Sequence, residues 1–233
     1  MKNLTWNYVD KSTWPDGPWM QEPDKEQFTD PATGLPCLIR RNMMGCLSVY
    51  VGVAPGHLCY QVSPDEEPLA YISADRQICF ADSCSGDEFG ICHTVEPGEP
   101  DVVWWLGFDY GYAESLMPAE YDKKILDSMQ PAMRERWMAK LPTLRYYDWS
   151  YAKAKAGELA GRLARLADPQ ALVGDVAAEL AEYDRLIALL HQQDAQFTSE
   201  VLQLAAGPLY PDYIGKLRAL HSFLTQKGYK SLV

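Results

Sequence analysis

No apolar run in this sequence is long enough to cross a bilayer. The longest, around residues 46–54, falls far short of the roughly 18 residues that a spanning helix needs. Behind Lys2 there is no apolar stretch of the kind that follows the charge of a secretory signal, so a cytoplasmic protein is expected. The second half has no cysteine. All six (Cys37, Cys46, Cys59, Cys79, Cys84 and Cys92) precede residue 93, and without an export signal they are expected to be reduced thiols packed as small apolar groups. There is no Cys-x-x-Cys pair, no Walker-type phosphate loop and no dinucleotide-binding glycine pattern. Positive charge is scarce at the front: residues 1–117 hold 6 Lys/Arg against 18 Asp/Glu, while residues 118–233 hold 15 against 14. The net charge of −11 therefore belongs to the first half. Such a surface repels phosphates, which argues against direct binding of DNA or RNA, and it attracts a basic partner.

What the sequence does contain is aromatic. Between Trp104 and Tyr112 there are five aromatic residues in nine positions, and the run 102–108 is nearly continuous in β-branched and aromatic side chains. It reads as a strand buried on both faces, leaving the core at Asp101 and Asp109. Upstream, 35–41 and 46–53 read as two strands joined by Asn42-Met43-Met44-Gly45, a turn with residues that tolerate positive φ. Weaker strands are expected at 69–73 and 77–80. Residues 1–35 hold Trp6, Trp14 and Trp19 among turn formers and read as an ordered loop folded over apolar surface, with a contact surface as the alternative.

After Pro118 the pattern becomes helical. A short pair is expected at 119–129 and 131–140, then a helix at 151–167. In the next helix Val173, Val176, Leu180, Tyr183, Ile187 and Leu190 follow three-four spacing behind an Asp168-Pro169 start. A last helix over 211–227 stops at Gly228. The expected class is α+β: a small mixed or antiparallel sheet in an acidic, Trp/Cys-rich domain over 1–117, then a helical bundle over 118–233. The three-four seam is intramolecular core or, alternatively, a homodimer interface.

Three constellations could carry chemistry. Cys79, Cys84, Cys92 and His93 cluster in sequence and could hold zinc, although no pair has the usual ligand spacing. A thiol of Cys84 or Cys92 would need His57 or His93 folded against it as base. Asp82 and Asp109 could act as acid and base across strand ends.

The motifs Asp16-Gly17-Pro18-Trp19, Ala32-Thr33-Gly34-Leu35-Pro36-Cys37, Gly90-Ile91-Cys92-His93, Pro97-Gly98-Glu99-Pro100-Asp101 and Trp104-Trp105-Leu106-Gly107-Phe108-Asp109 resemble a set of phage- and prophage-encoded proteins of unassigned function. The resemblance covers about residues 14–118. Where those proteins carry His-Gly-Gly-Leu-Thr before the acidic loop, this chain has Leu69-Ala70-Tyr71-Ile72-Ser73, and where they carry Cys-Ala-His and then an Asp, it has Tyr110, Gly111, Tyr112 and Ser115. The resemblance implies a retained scaffold that has lost reactive groups. The expected function is that of a phage or mobile-element accessory protein, working in the bacterial host cytoplasm without a cofactor. It would bind and inhibit a host protein or ribonucleoprotein with a basic surface, such as a CRISPR defence complex. Trp14, Trp19, Asp87, Glu88, Tyr110 and Tyr112 are the expected partner contacts. The alternatives are a small zinc-dependent hydrolase or nucleotide-binding protein using Asp82, Cys92, His93 and Asp109, and an oligomeric assembly factor.

Overall fold

The computed structural model describes residues 1–72, 75–84, 92–95, 97–98, 102–191 and 210–230. Six strands form one antiparallel sheet: β1 (Leu4–Trp6), β2 (Lys25–Thr29), β3 (Pro36–Arg41), β4 (Leu47–Val53), β5 (Phe80–Ser83) and β6 (Trp104–Asp109), in spatial order β1-β2-β3-β4-β6-β5. The helices are α1 (Lys123–Ser128), α2 (Pro131–Met138), α3 (Trp149–Arg165), α4 (Pro169–His191) and α5 (Tyr210–Gln226). The fold is α+β. Among the described residues no helix is long and apolar enough to cross a membrane.

Strand alternation gives the sheet two different faces. Cys37, Ile39, Val49, Val51, Leu106 and Phe108 lie on one face and join the main core. Leu38, Tyr50 and Trp105 lie on the other and form a smaller cluster with Phe80, Cys84 and Val103. β4 is buried along its whole length, as its near-continuous apolar run requires. Gly107 leaves room for a neighbour's ring: a Cβ there would stand 2.4 Å from Tyr50 and 2.2 Å from the Val49 carbonyl. In the β3–β4 turn Asn42 Oδ1 accepts the Met44 and Cys46 N–H groups, and Gly45 takes φ 90°.

α3 packs across β3 and β4. Its buried face alternates small and large, with Ala152, Ala156 and Ala160 beside Leu159 and Leu163, so the helix axis can approach the sheet closely. Both of its ends are fixed. Asp148 caps Tyr151 N–H at 2.8 Å, Glu22 accepts Trp149 N–H at 3.0 Å, and at the other end the Leu163 carbonyl meets His57 Nε2 at 2.8 Å. α4 starts on Asp168, which accepts Gln170 and Ala171 N–H, and packs against α5, which ends at Gly228 with φ 93°.

Several expectations change. The stretch read as loop over 1–35 contains β1 and β2, and of the strand expected over 69–73 the first three residues, Leu69–Tyr71, form a 3-10 turn while Ser73 lies outside the described residues. The helix expected over 119–129 is a 3-10 turn, Pro118–Tyr121, followed by α1 capped by Asp122. The main core continues through the expected boundary after residue 117: Phe108 and Tyr110 share it with Tyr147, Leu159 and Leu163. Val173 and Val176 are fully covered inside the chain, and Leu180 and Tyr183, partly buried, pack against the same core, as the intramolecular reading of the seam expects. Ile187 is half-buried; the Leu190 side chain lies outside the described residues.

Candidate functional site

Two polar networks tie the halves together. Arg41 is fully buried and every donor edge of its guanidinium is used: Nε to Asp24 Oδ1 (3.2 Å), Nη1 to the Gly45 carbonyl (2.9 Å) and Tyr146 Oη (2.8 Å), and Nη2 to Glu22 Oε2 (2.7 Å). Burial alone would raise the Asp24 carboxyl, but hydrogen bonds from Lys11 and from the Val9 and Tyr8 N–H groups outweigh it and hold the group below its ordinary range. Glu26 is a second link: its carboxylate accepts Trp149 Nε1–H at 2.9 Å and pairs with Lys153 at 2.6 Å.

The second network stands where β6 leaves the sheet. Asp75 accepts the hydroxyls of Tyr110 (3.1 Å) and Tyr151 (3.1 Å). Tyr110 and Tyr147 stack at 4.6 Å, Arg145 lies over Tyr147 at 4.7 Å, and Arg76 lies over Tyr112 at 4.1 Å while donating to Tyr147 Oη at 2.8 Å. Burial, with the Asp75 charge beside it, drives the Tyr110 hydroxyl well above its ordinary pKa. Tyr110 is therefore a fixed neutral donor within the core.

On the opposite face Cys84 Sγ lies 3.5 Å from His93 Nδ1, and the His93 ring meets Trp105 edge-on at 5.4 Å. Burial pushes the Cys84 thiol up to about 12, so the sulfur is a protonated thiol at neutral pH and a poor nucleophile. Gln27, fully buried, pins the overlying segment: its amide accepts Thr94 N–H at 2.7 Å and donates to the Thr94 carbonyl at 3.3 Å.

Of the sequence-expected sites one pair meets, Cys84 with His93, and the zinc and carboxylate sets are dispersed. Cys79 precedes β5 and Cys84 follows it, which separates them by roughly 16 Å of extended chain, so the zinc set is not assembled. Among the described residues no three His, Cys, Asp or Glu side chains converge as a metal site. Asp82 pairs in register with Trp105, four residues along β6 from Asp109, roughly 13 Å away; Asp82 bonds its own Ser83, and Asp109 bonds Gly111 N–H. The acid–base pair across strand ends is thus corrected. It is Cys84 whose sulfur meets His93, while Cys92 is half-buried nearby in sequence. His57 is not a free base: its Nε2 lies on the Leu163 carbonyl and its Nδ1 accepts Cys59 N–H at 3.0 Å, an arrangement that fixes a neutral tautomer. Cys37, Cys46 and Cys59 are buried thiols pushed up to about 12 by desolvation.

The expected contact anchors are corrected too. Trp14 and Trp19 are 9% and 4% exposed; Trp19 meets Tyr146 edge-on and donates to the Pro15 carbonyl. Tyr110 is core. Tyr112 alone stays half-exposed, beneath Arg76. Asp87 and Glu88 lie outside the described residues.

The surface that sequence reasoning missed is on α1 and α2. Among the described residues seven large apolar side chains are exposed, and five of them are Met43, Met44, Ile125, Met133 and Met138. α2 has no buried residue, and Trp137, half-buried, touches Tyr121 at 6.3 Å between ring centres. The β3–β4 turn reaches the same region, since Ala119 N–H donates to the Met44 carbonyl. The signal available in the sequence was four methionines (Met43, Met44, Met133, Met138) at positions that no strand or helix period accounts for. Comparison with protein-family models, with curated proteins and with solved structures gives no match.

Proposed function

We propose that this chain is a non-catalytic binding protein, of the kind a phage or mobile element directs against a host defence complex, acting by covering a partner's surface. One observation carries the binding reading: an eight-residue helix, α2, stands outside the core with Met133 59% exposed. A helix that short is marginal in water by itself, and methionine is the apolar side chain best able to adapt to a partner. Large apolar side chains held in water on a helix that buries none of its residues favour a contact surface. The resemblance of residues 14–118 to phage-encoded proteins supports the source, and the exposed carboxylates Asp10, Asp16, Asp65, Glu66 and Glu67 support a basic partner. Several other acids of the first half (Asp24, Glu26, Asp30) are buried and contribute nothing to that attraction.

The test is recovery from host lysate at low salt, with wild-type chain and Met133→Asp as baits. A stoichiometric partner retained by the first and lost by the second is expected. The absence of any stoichiometric partner for the wild type would defeat the proposal.

A further inference from the structure

Two adjoining concavities lie between the Leu69–Tyr71 turn, the end of α3, α4 and α5. They measure about 480 and 640 Å³ overall and share Ile72 and Lys216 on their walls. The first is floored by aliphatic side chains, among them Leu172, Val176 and Leu217, and bordered by Arg162 and Arg165. The second is more polar and reaches Arg76. Space that a water molecule can enter is small in the first, about 60 Å³, and larger in the second, about 280 Å³.

The charge of this lining runs against that of the chain. The whole sequence has 32 Asp/Glu and 21 Lys/Arg, yet the two linings together contain four cations and no carboxylate. Arg165 reaches Asp175 only at 4.0 Å, through solvent-exposed side chains, and Arg76 pairs with Glu114, which is half exposed. Such pairs are weak and can exchange for a ligand's anion. Among the described residues no carboxylate pairs with Arg162. An apolar floor with guanidinium groups at its mouth, in a molecule that is otherwise acidic, selects one ligand chemistry: an aliphatic tail that ends in a negative charge.

We propose that this cleft binds a small anionic amphiphile, a medium-chain carboxylate, with its tail on the Leu172–Val176–Leu217 floor and its head group at Arg162 and Arg165. The site is separate from the α1–α2 surface, and it stands or falls independently of the partner-binding reading.

Calorimetric titration of the full chain with sodium octanoate, beside 1-octanol and octylamine, tests it. Saturable binding of one octanoate per chain is expected, with the neutral and cationic analogues weaker by about tenfold, the worth of one charge-assisted hydrogen bond. Arg162→Gln with Arg165→Gln alters only exposed side chains and should weaken octanoate by about tenfold while leaving circular dichroism unchanged. Lys216→Gln is a second variant, should the first misfold. Equal affinity for octanoate and octanol, unsaturable heat, or unchanged affinity in the folded variants would overturn the proposal.

Discussion

α2 and α3 stand a short connection apart in the same half of the chain, and they are used in opposite ways. α3 buries Ala152, Ala156, Leu159, Ala160 and Leu163 against the sheet and has both ends held by side chains from the first half. α2 carries Met133, Trp137 and Met138 but buries none of them. Apolar content does not separate the two helices; arrangement does. Residues 152, 156, 159, 160 and 163 make a stripe at three-four spacing, wide enough to face a sheet, whereas α2 spans little over two turns, rests on Tyr121 through Trp137 and leaves Met133 and Met138 in solvent. One helix is a structural element of the core, and the other is surface that the fold holds out.

This contrast can be broken or sharpened by substitution, and the largest effects belong to the residues that fix α3. Arg41→Met leaves the Glu22 carboxylate without its cation at the start of α3 and takes one of two cations from Asp24, which keeps Lys11; a loss of about 3–5 kcal/mol in urea-unfolding stability is expected. Leu163→Ala on the buried face should cost about 2–5 kcal/mol by the same measurement. His57→Ala, which removes the partner of the Leu163 carbonyl and of Cys59 N–H, should cost about 1–3 kcal/mol.

His57 also makes a pH signature. Burial lowers its folded pKa below the ordinary 6.5, so the native state binds fewer protons than the unfolded chain. Its contribution is fully present above pH 6.5 and is lost as pH falls from there through the depressed folded value. Thermal melts of wild type should therefore fall over that window, with a shallower slope in His57→Ala. The smallest effect is on α2. Met133→Ala should change stability by less than about 0.5 kcal/mol in the same melts, and a loss as large as that of Leu163→Ala would end the distinction between the helices.

Much of the framework was legible from local pattern. β4 and β6 announced themselves as near-continuous apolar runs and β3 by the Asn42–Gly45 turn that joins it to β4, and Asp168-Pro169 and Gly228 marked helix ends directly. β2 did not, because Lys25-Glu26-Gln27-Phe28-Thr29 is a polar strand whose burial is satisfied by distant partners: Gln27 by Thr94, Glu26 by Trp149 and Lys153. No local period records such pairing. The same reason hid the Asp75 cluster, which draws Tyr110 and Tyr151 from far along the chain. Trp14 and Trp19 were legible as rings folded over apolar surface, and the structure buries both; only their alternative use as contact anchors falls away. The exposure of the α2 methionines is written in no local period; it shows only in the folded chain, where Met133 and Met138 are 59% and 40% exposed.

The Glu22 carboxylate deserves a last consequence. A single side chain, sitting before β2, receives the guanidinium of Arg41, the phenol of Tyr146 and the first amide of α3. Expression of residues 1–117 alone would leave that guanidinium without its phenol and uncover Phe108 and Tyr110 to water. The sheet therefore needs α3 to close it, and a fragment cut ahead of Trp149 should aggregate; since Val173, Val176 and Leu224 complete the same core, only the chain carried through α5 is expected to stay in solution.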